Sequence, residues 1–116
     1  MLYEEAERQM SAAVKGLESG DRKLDQINNA IIKAQDVITE LMVSLDFDKG
    51  GEIANNLYSL YVFFNRQLMQ ANIQKDADMI RPVAQMMKEL KETWVQVFQK
   101  AGMGASGISS GVNIAG

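Results

Sequence analysis

The sequence predicts an all-α protein, an antiparallel up-down-up-down four-helix bundle with a Gly/Ser-rich C-terminal tail. Apolar residues recur at steps of three and four over most of the chain, which is the period of an amphipathic helix. Only one proline interrupts the 116 residues. The segments between the periodic stretches are short, so successive helices should be antiparallel neighbours. We therefore expect a bundle over residues 1–100 and a tail over residues 101–116.

Helix one is predicted over about residues 2–19, and Gly20 is expected to end it in the left-handed conformation. Helix one is shorter than the other predicted helices and begins without a capping residue, so we expect it to be cut short at its N-terminal end. Helix two is predicted over about residues 22–46, with Asp21 as its N-cap. The expected inward-facing residues of these two helices are Leu2, Ala6, Met10, Ala13, Leu17, Leu24, Ile27, Ile31, Ala34, Ile38, Leu41 and Leu45.

Residues 46–51, with the sequence DFDKGG, are predicted to form a turn, and helix three follows over about residues 52–73. In this interpretation Gly50 suits the end of helix two, and Glu52 lies favourably at the positive end of the next helix. The expected core face of helix three consists of Ile53, Leu57, Leu60, Tyr61, Phe64, Leu68 and Ala71.

Helix four is predicted over about residues 77–100. Either Asp76 or Asp78 should cap it, and Pro82 should cause a kink only if Asp76 is the cap. Its expected core residues are Ile80, Val83, Met87, Leu90, Trp94 and Phe98.

The composition excludes catalytic sites that need histidine or cysteine and leaves open catalysis by carboxylates, lysine or tyrosine. The chain has no histidine and no cysteine, so it cannot build a Ser-His-Asp triad, a Cys-His pair or a zinc site with these ligands. A di-iron site in a bundle would need Glu-x-x-His pairs. We therefore expect no enzymatic activity, no metal and no cofactor.

The charge pattern also argues against two kinds of partner. The net charge is −3, and the basic residues are scattered among acidic ones, which does not suit nucleic acid. No apolar run approaches the roughly 20 residues needed to cross a bilayer, so membrane insertion is not expected. The absence of cysteine fits a reducing cytoplasm.

Helices two and three carry more apolar residues than one core face can use. At about 100° per residue, these extra residues point away from the core face. A milder version of the pattern occurs beside the core face of helix four, at Met79, Met86 and Val97. The second stripe, with two asparagines at its edge, consists of Ile32, Val43, Tyr58, Val62, Asn65, Met69, Asn72 and Ile73.

Two explanations of the second stripe are open on periodicity alone. Large exposed apolar surfaces commonly mark partner sites, and methionine suits a surface that must adapt to a helix. A wide core face or a homo-oligomer would bury the same residues without any client. Asn72 also lies beside a turn, where a capping role is common.

Four blocks of the sequence resemble the flagellar secretion chaperone family FliS. They are MLYEEA, NNAIIKAQDVITELMVSLD, GGEIANNLYSLYVFFNRQLMQANIQKD and MMKELKETW, and together they extend over about residues 1–100. The resemblance implies a cytoplasmic bundle that binds the disordered C-terminal segment of flagellin and prevents its premature polymerisation. It further implies that flagellin stays competent for flagellar type III secretion, with the export apparatus as a further partner. The second stripe would then meet helices of a client that folds as it docks.

The sequence departs from the family pattern in three places. We expect the segment that usually precedes MLY in the family, and covers part of its client groove, to be absent. Val62 and Gln67 stand where the family commonly has an acid and an arginine. The tail beyond Ala101 lies outside the resemblance. We expect it to lie on an apolar surface and to occupy part of the client site through Ile108, Val112 and Ile114. The alternative to a chaperone is a structural helical bundle that self-associates through the stripe.

Overall fold

The computed structural model describes residues 2–21 and 23–100, with side chains described up to residue 94. The fold class predicted from the sequence is confirmed: the protein is an all-α four-helix bundle, and the described residues contain no strand. The chain forms two compact units, which divide after Gln85. The helices are α1 (Leu2–Glu18), α2 (Leu24–Val43), α3 (Phe47–Gln74) and α4 (Ala77–Lys100).

Helix α1 packs closely against α2 because small residues lie along its inner face. Ala6 and Ala13 are fully buried. At Gly16 a Cβ atom would lie only 2.8 Å from Cγ1 of Ile27, a distance that atoms do not normally tolerate. The glycine therefore allows this approach between the two helices.

Helices α2 and α3 pack antiparallel to each other. Asn72 Nδ2 donates to Asn28 Oδ1 at 2.7 Å, and Asn65 Nδ2 donates to Thr39 Oγ1 at 3.2 Å. As the residue number rises along α2, the number of its partner in α3 falls. The two bonds show how α2 and α3 are aligned along their axes.

The core is apolar apart from its aromatic hydroxyls. No charged or otherwise polar residue is buried among those that the structure describes. In the second unit, Met87 is buried. The buried residues of the first unit are Tyr3, Ala6, Met10, Ala13, Ile27, Ala30, Ile31, Ala34, Ile38, Leu41, Ala54, Tyr61, Phe64, Leu68, Ala71, Ile80 and Val83.

Two residues predicted for the core are instead exposed. Leu24 is 52% exposed and Ile53 is 62% exposed. Leu24 is the first residue of α2, and Ile53 follows a break in α3 at Gly51. Periodicity gives the direction of a side chain around its helix, but a terminal turn has neighbours on only one side.

The predicted ends of helix two are wrong at both sides. Asp21 does not cap it: the residue at the N-cap is Lys23, which makes no side-chain capping bond. Gly20, the predicted end of helix one, does not have the positive φ expected of it. Among the described residues, a positive φ occurs only at Lys75 and Gly51. Helix α2 ends at Val43, before the predicted residue 46, because Asp46 is extended and serves the next helix.

The predicted turn at residues 46–51 contains a short helical segment and a break. Asp46 caps α3 by accepting a hydrogen bond from the Lys49 amide at 3.0 Å. Gly51 then leaves helical geometry, with φ 52° and ψ −123°. The long part of α3 follows this break, near the predicted start at residue 52. It ends at Gln74, and the C-cap residue Lys75 has a left-handed backbone whose amide donates to the Ala71 carbonyl.

Helix α4 runs from Ala77 to Lys100, the range that the periodicity predicts. Asp76 is the cap, since its Oδ1 accepts a hydrogen bond from the Asp78 amide at 2.9 Å. Pro82 consequently lies inside the helix. The side chains of Val97 and Phe98, and the tail with its expected apolar contacts at Ile108, Val112 and Ile114, lie outside the described residues.

Candidate functional site

An open groove of about 410 Å³ runs between α2 and α3. We call it the α2–α3 groove. Its lining combines apolar and uncharged polar side chains with the guanidinium of Arg66, and all of it belongs to the first unit. The lining residues are Gln35, Thr39, Met42, Val62, Asn65, Arg66 and Met69.

The groove exists because each helix has one face on the core and a second face beside it. On α2, Thr39 follows Ile32 by seven residues, which is about two turns, so both lie on one side of the helix. On α3, Met69 follows Val62 by the same interval. The antiparallel register then brings these two second faces together at the surface.

Three of the eight predicted site residues line the groove: Val62, Asn65 and Met69. Val62 and Asn65 are half-buried, whereas Met69 is exposed. The described structure thus brings together residues from the stripe and from its polar edge. Their role in binding remains a prediction.

The other exposed members of the second stripe continue the groove beyond its lining. Ile32 lies about one turn before Gln35, and Ile73 lies about one turn after Met69. At the other end, Val43 is 80% exposed, the largest exposed fraction among the exposed large apolar residues. Tyr58 is also exposed there, and its ring meets the edge of Phe47 with centroids 6.0 Å apart.

Asn72 has a structural position at one end of this face. Its Nδ2 donates to Asn28 Oδ1, and its side-chain and main-chain oxygens both accept from the Lys75 ammonium. The side chain is half-buried and its polar atoms are occupied within the protein. The bond to Asn28 joins α3 to α2, and the bonds from Lys75 tie the residue after α3 to the last turn of that helix.

Four residues of the groove are not among the predicted site residues: Gln35, Thr39, Met42 and Arg66. Three of them are polar or charged, so they do not belong to the pattern of apolar residues outside the core face. The spacing of two of them indicates their position, because Gln35 and Thr39 follow Ile32 by three and seven residues and so lie on the same side of α2. Met79 and Met86, the described members of the milder pattern on helix four, are half-buried.

Side-chain hydrogen bonds link the two walls of the groove. Gln35 Nε2 donates to the main-chain oxygen of Asn65 at 3.2 Å, which links the two walls. Among the described residues, no group of three or more acidic, histidine or cysteine side chains is arranged to hold a metal ion. Within the same part of the chain, no helix has both the length and the apolar character needed to cross a membrane.

Comparisons with known proteins identify the family of the chain. A family model described as "Flagellar protein FliS" matches residues 1–101. The flagellar secretion chaperone FliS of Salmonella typhimurium is 38% identical over 102 residues, covering 87% of this chain and 74% of the relative. The proteins of the same name from Vibrio cholerae and Bacillus subtilis are 34% and 30% identical, over 76% and 85% of this chain and 68% and 71% of theirs. The chain therefore belongs to the FliS family of flagellar proteins.

Proposed function

We propose that this protein is a cytoplasmic export chaperone that binds the C-terminal segment of flagellin in the α2–α3 groove. In this role it prevents flagellin from polymerising early and keeps the client competent for flagellar type III secretion. The observation that carries the proposal is the continuous second face on α2 and α3, where apolar side chains are exposed beside a complete core. Membership in a family whose curated members are named flagellar secretion chaperones supports it.

The dimensions of the groove suit a client helix. From Ile32 to Val43 the exposed face of α2 extends about 16 Å, which accommodates about three turns of helix. A disordered segment that folds on docking loses conformational entropy, so several contacts are needed to offset that cost. The exposed apolar residues at both ends of the groove would supply them.

Calorimetric titration with the C-terminal segment of the cognate flagellin tests the proposal. Burial of an amphipathic helix should produce binding heat and a clearly negative heat-capacity change across several temperatures. Absence of heat at every temperature, with the chaperone shown to be folded by circular dichroism, would contradict it.

Light scattering of the free protein separates the chaperone from a self-associating structural bundle. If the protein is a chaperone, we expect the species present at micromolar concentration to leave the α2–α3 groove open to its client. A tight dimer that excludes the flagellin segment would instead favour self-association through the second stripe.

A further inference from the structure

One polar atom in the wall of the groove has no partner. Among the residues that the structure describes, Asn65 Oδ1 is the buried side-chain oxygen or nitrogen that makes no hydrogen bond. Buried acceptors without a partner are uncommon in folded proteins, because they lose their bonds to water and receive nothing in return. The atom lies in a residue that lines the candidate client site.

The other end of the same carboxamide is only weakly held. Nδ2 donates to Thr39 Oγ1 at 3.2 Å and lies 3.9 Å from Met42 Sδ, and a thioether sulfur is a weak acceptor. The backbone of Asn65 is better fixed, because its carbonyl accepts from Gln35 Nε2. The main chain of Asn65 is therefore held in place, whereas its carboxamide can change orientation.

The carboxamide can turn without losing the bond to Thr39. A hydroxyl both donates and accepts, so Thr39 can accept from Nδ2 or, after the amide turns, donate to Oδ1. The last torsion of asparagine is broad, which makes both orientations accessible. In either orientation, the amide atom beside Thr39 keeps one more bonding position, the second N–H of Nδ2 or the second lone pair of Oδ1, for a partner outside the protein.

We infer that the client segment carries a side-chain hydroxyl or carboxamide on the turn that lies over Asn65. Serine, threonine, asparagine and glutamine provide such groups, and each can donate to Oδ1 or accept from Nδ2. The apolar stripe of the client therefore contains one polar residue at this point. Pairing of that residue with Asn65 sets the register of the client in the groove. A buried polar pair is known to set register between helices in this way. This inference rests on the function proposed above.

The test is a double-mutant cycle between Asn65 and the client. Each serine, threonine, asparagine and glutamine of the cognate flagellin segment is replaced in turn by alanine. The affinity of every version is measured by titration calorimetry for the natural chaperone and for its Asn65→Leu variant. Asn56→Leu is the matched control, because Asn56 is exposed and lies nine residues earlier, on the opposite side of α3.

We expect one replacement to weaken binding to the natural chaperone by roughly tenfold. The same replacement should change little in the Asn65→Leu variant and should keep its full effect in the Asn56→Leu variant. Additive effects at every position, or unchanged affinity of the Asn65→Leu variant for the natural segment, would overturn the inference. Failure of the natural chaperone to bind the natural segment would instead overturn the proposed function.

Circular dichroism and thermal melting show whether the variants fold. Asn65→Leu should melt at the natural temperature or above it, because it removes a buried acceptor without a partner. If leucine is too large for the site, Asn65→Ala completes the same cycle. Coupling to the same client position should appear with either substitution.

Discussion

The phenolic oxygens of Tyr3 and Tyr61 lie 2.5 Å apart, and this buried hydrogen bond joins the first turn of α1 to the middle of α3. Both rings are buried, and the ring of Tyr61 also lies against Phe64 with centroids 6.3 Å apart. The contact spans 58 positions in the chain. It therefore ties a terminal helix to the helix that forms one wall of the groove.

Tyr61→Phe should lower the free energy of unfolding at neutral pH by about 1 kcal/mol, because it removes one buried hydrogen bond. Urea denaturation at pH 7 measures the loss. Tyr58→Phe is the control, since Tyr58 is exposed and its hydroxyl should contribute little. Equal stability of the Tyr61→Phe variant and the natural protein would show that the bond does not stabilise the fold.

The stability of the protein should also depend on Tyr61 at alkaline pH. Burial, followed by the hydrogen bond with Tyr3, raises the pKa of Tyr61 well above its ordinary value. An unfolded tyrosine ionises near pH 10, so the unfolded state loses its proton first as the pH rises. The contribution of Tyr61 is thus fully present below about pH 10 and is lost as the pH rises toward the folded pKa.

Urea denaturation from pH 8 to 11 checks this dependence. The natural protein and the Tyr58→Phe variant should both lose stability above about pH 10, and the Tyr61→Phe variant should lose less. Parallel curves for all three proteins would rule out a special contribution from Tyr61.

Val62→Asp should weaken binding of the flagellin segment at least tenfold, because it places a charge in the apolar wall of the groove. Val62 is half-buried, so unfolding should become easier by no more than about 1 kcal/mol. Calorimetric titration and thermal melting measure the two effects.

Ile53→Asp is the matched control for Val62→Asp. Ile53 is exposed, β-branched and nine residues earlier, which is about two and a half turns and therefore the opposite side of α3. Its substitution should leave client affinity unchanged. A sharp fall in the melting temperature of the Val62→Asp variant without client would assign Val62 to the core and remove it from the site.

Gly51→Ala should destabilise the protein by about 1–2 kcal/mol, since its φ of 52° and ψ of −123° suit glycine alone. Gly20→Ala is the control. At Gly20 a Cβ atom would meet nothing within 4 Å, and the φ is not positive, so stability should change by no more than about 0.5 kcal/mol. Chemical denaturation distinguishes the two variants, and equal effects would contradict a special backbone requirement at the start of α3.

Asn72→Ala should cost about 1 kcal/mol of stability, because the half-buried Asn28 loses its 2.7 Å donor. The Asn28→Ala and Asn72→Ala effects should be non-additive in a double-mutant cycle, whereas Asn29→Ala, at an exposed neighbour, should be independent of both. Client affinity should fall less than in the Val62→Asp variant. Strict additivity of the Asn28 and Asn72 substitutions would show that the bond does not join α2 to α3 in solution.

The sequence by itself determined the helices and the direction of most side chains around each helix axis. Steps of three and four placed Ile31 and Ile38 in the core and pointed Ile32 and Val43 outward, and the structure agrees at all four positions. This success has a local cause, since the period of the α-helix depends only on residues within one or two turns.

The tertiary structure alone decided where α2 begins and ends and which outward residues share a groove. Asp21 and Asp46 look alike as capping residues, but Asp46 directly precedes α3 and accepts the Lys49 amide, whereas the residue directly before α2 is Lys23. Likewise, periodicity along α3 cannot show that Asn65 lies beside Thr39. The angle of a residue around its own helix is a local property, whereas the axial register between two helices depends on packing between residues far apart in the chain.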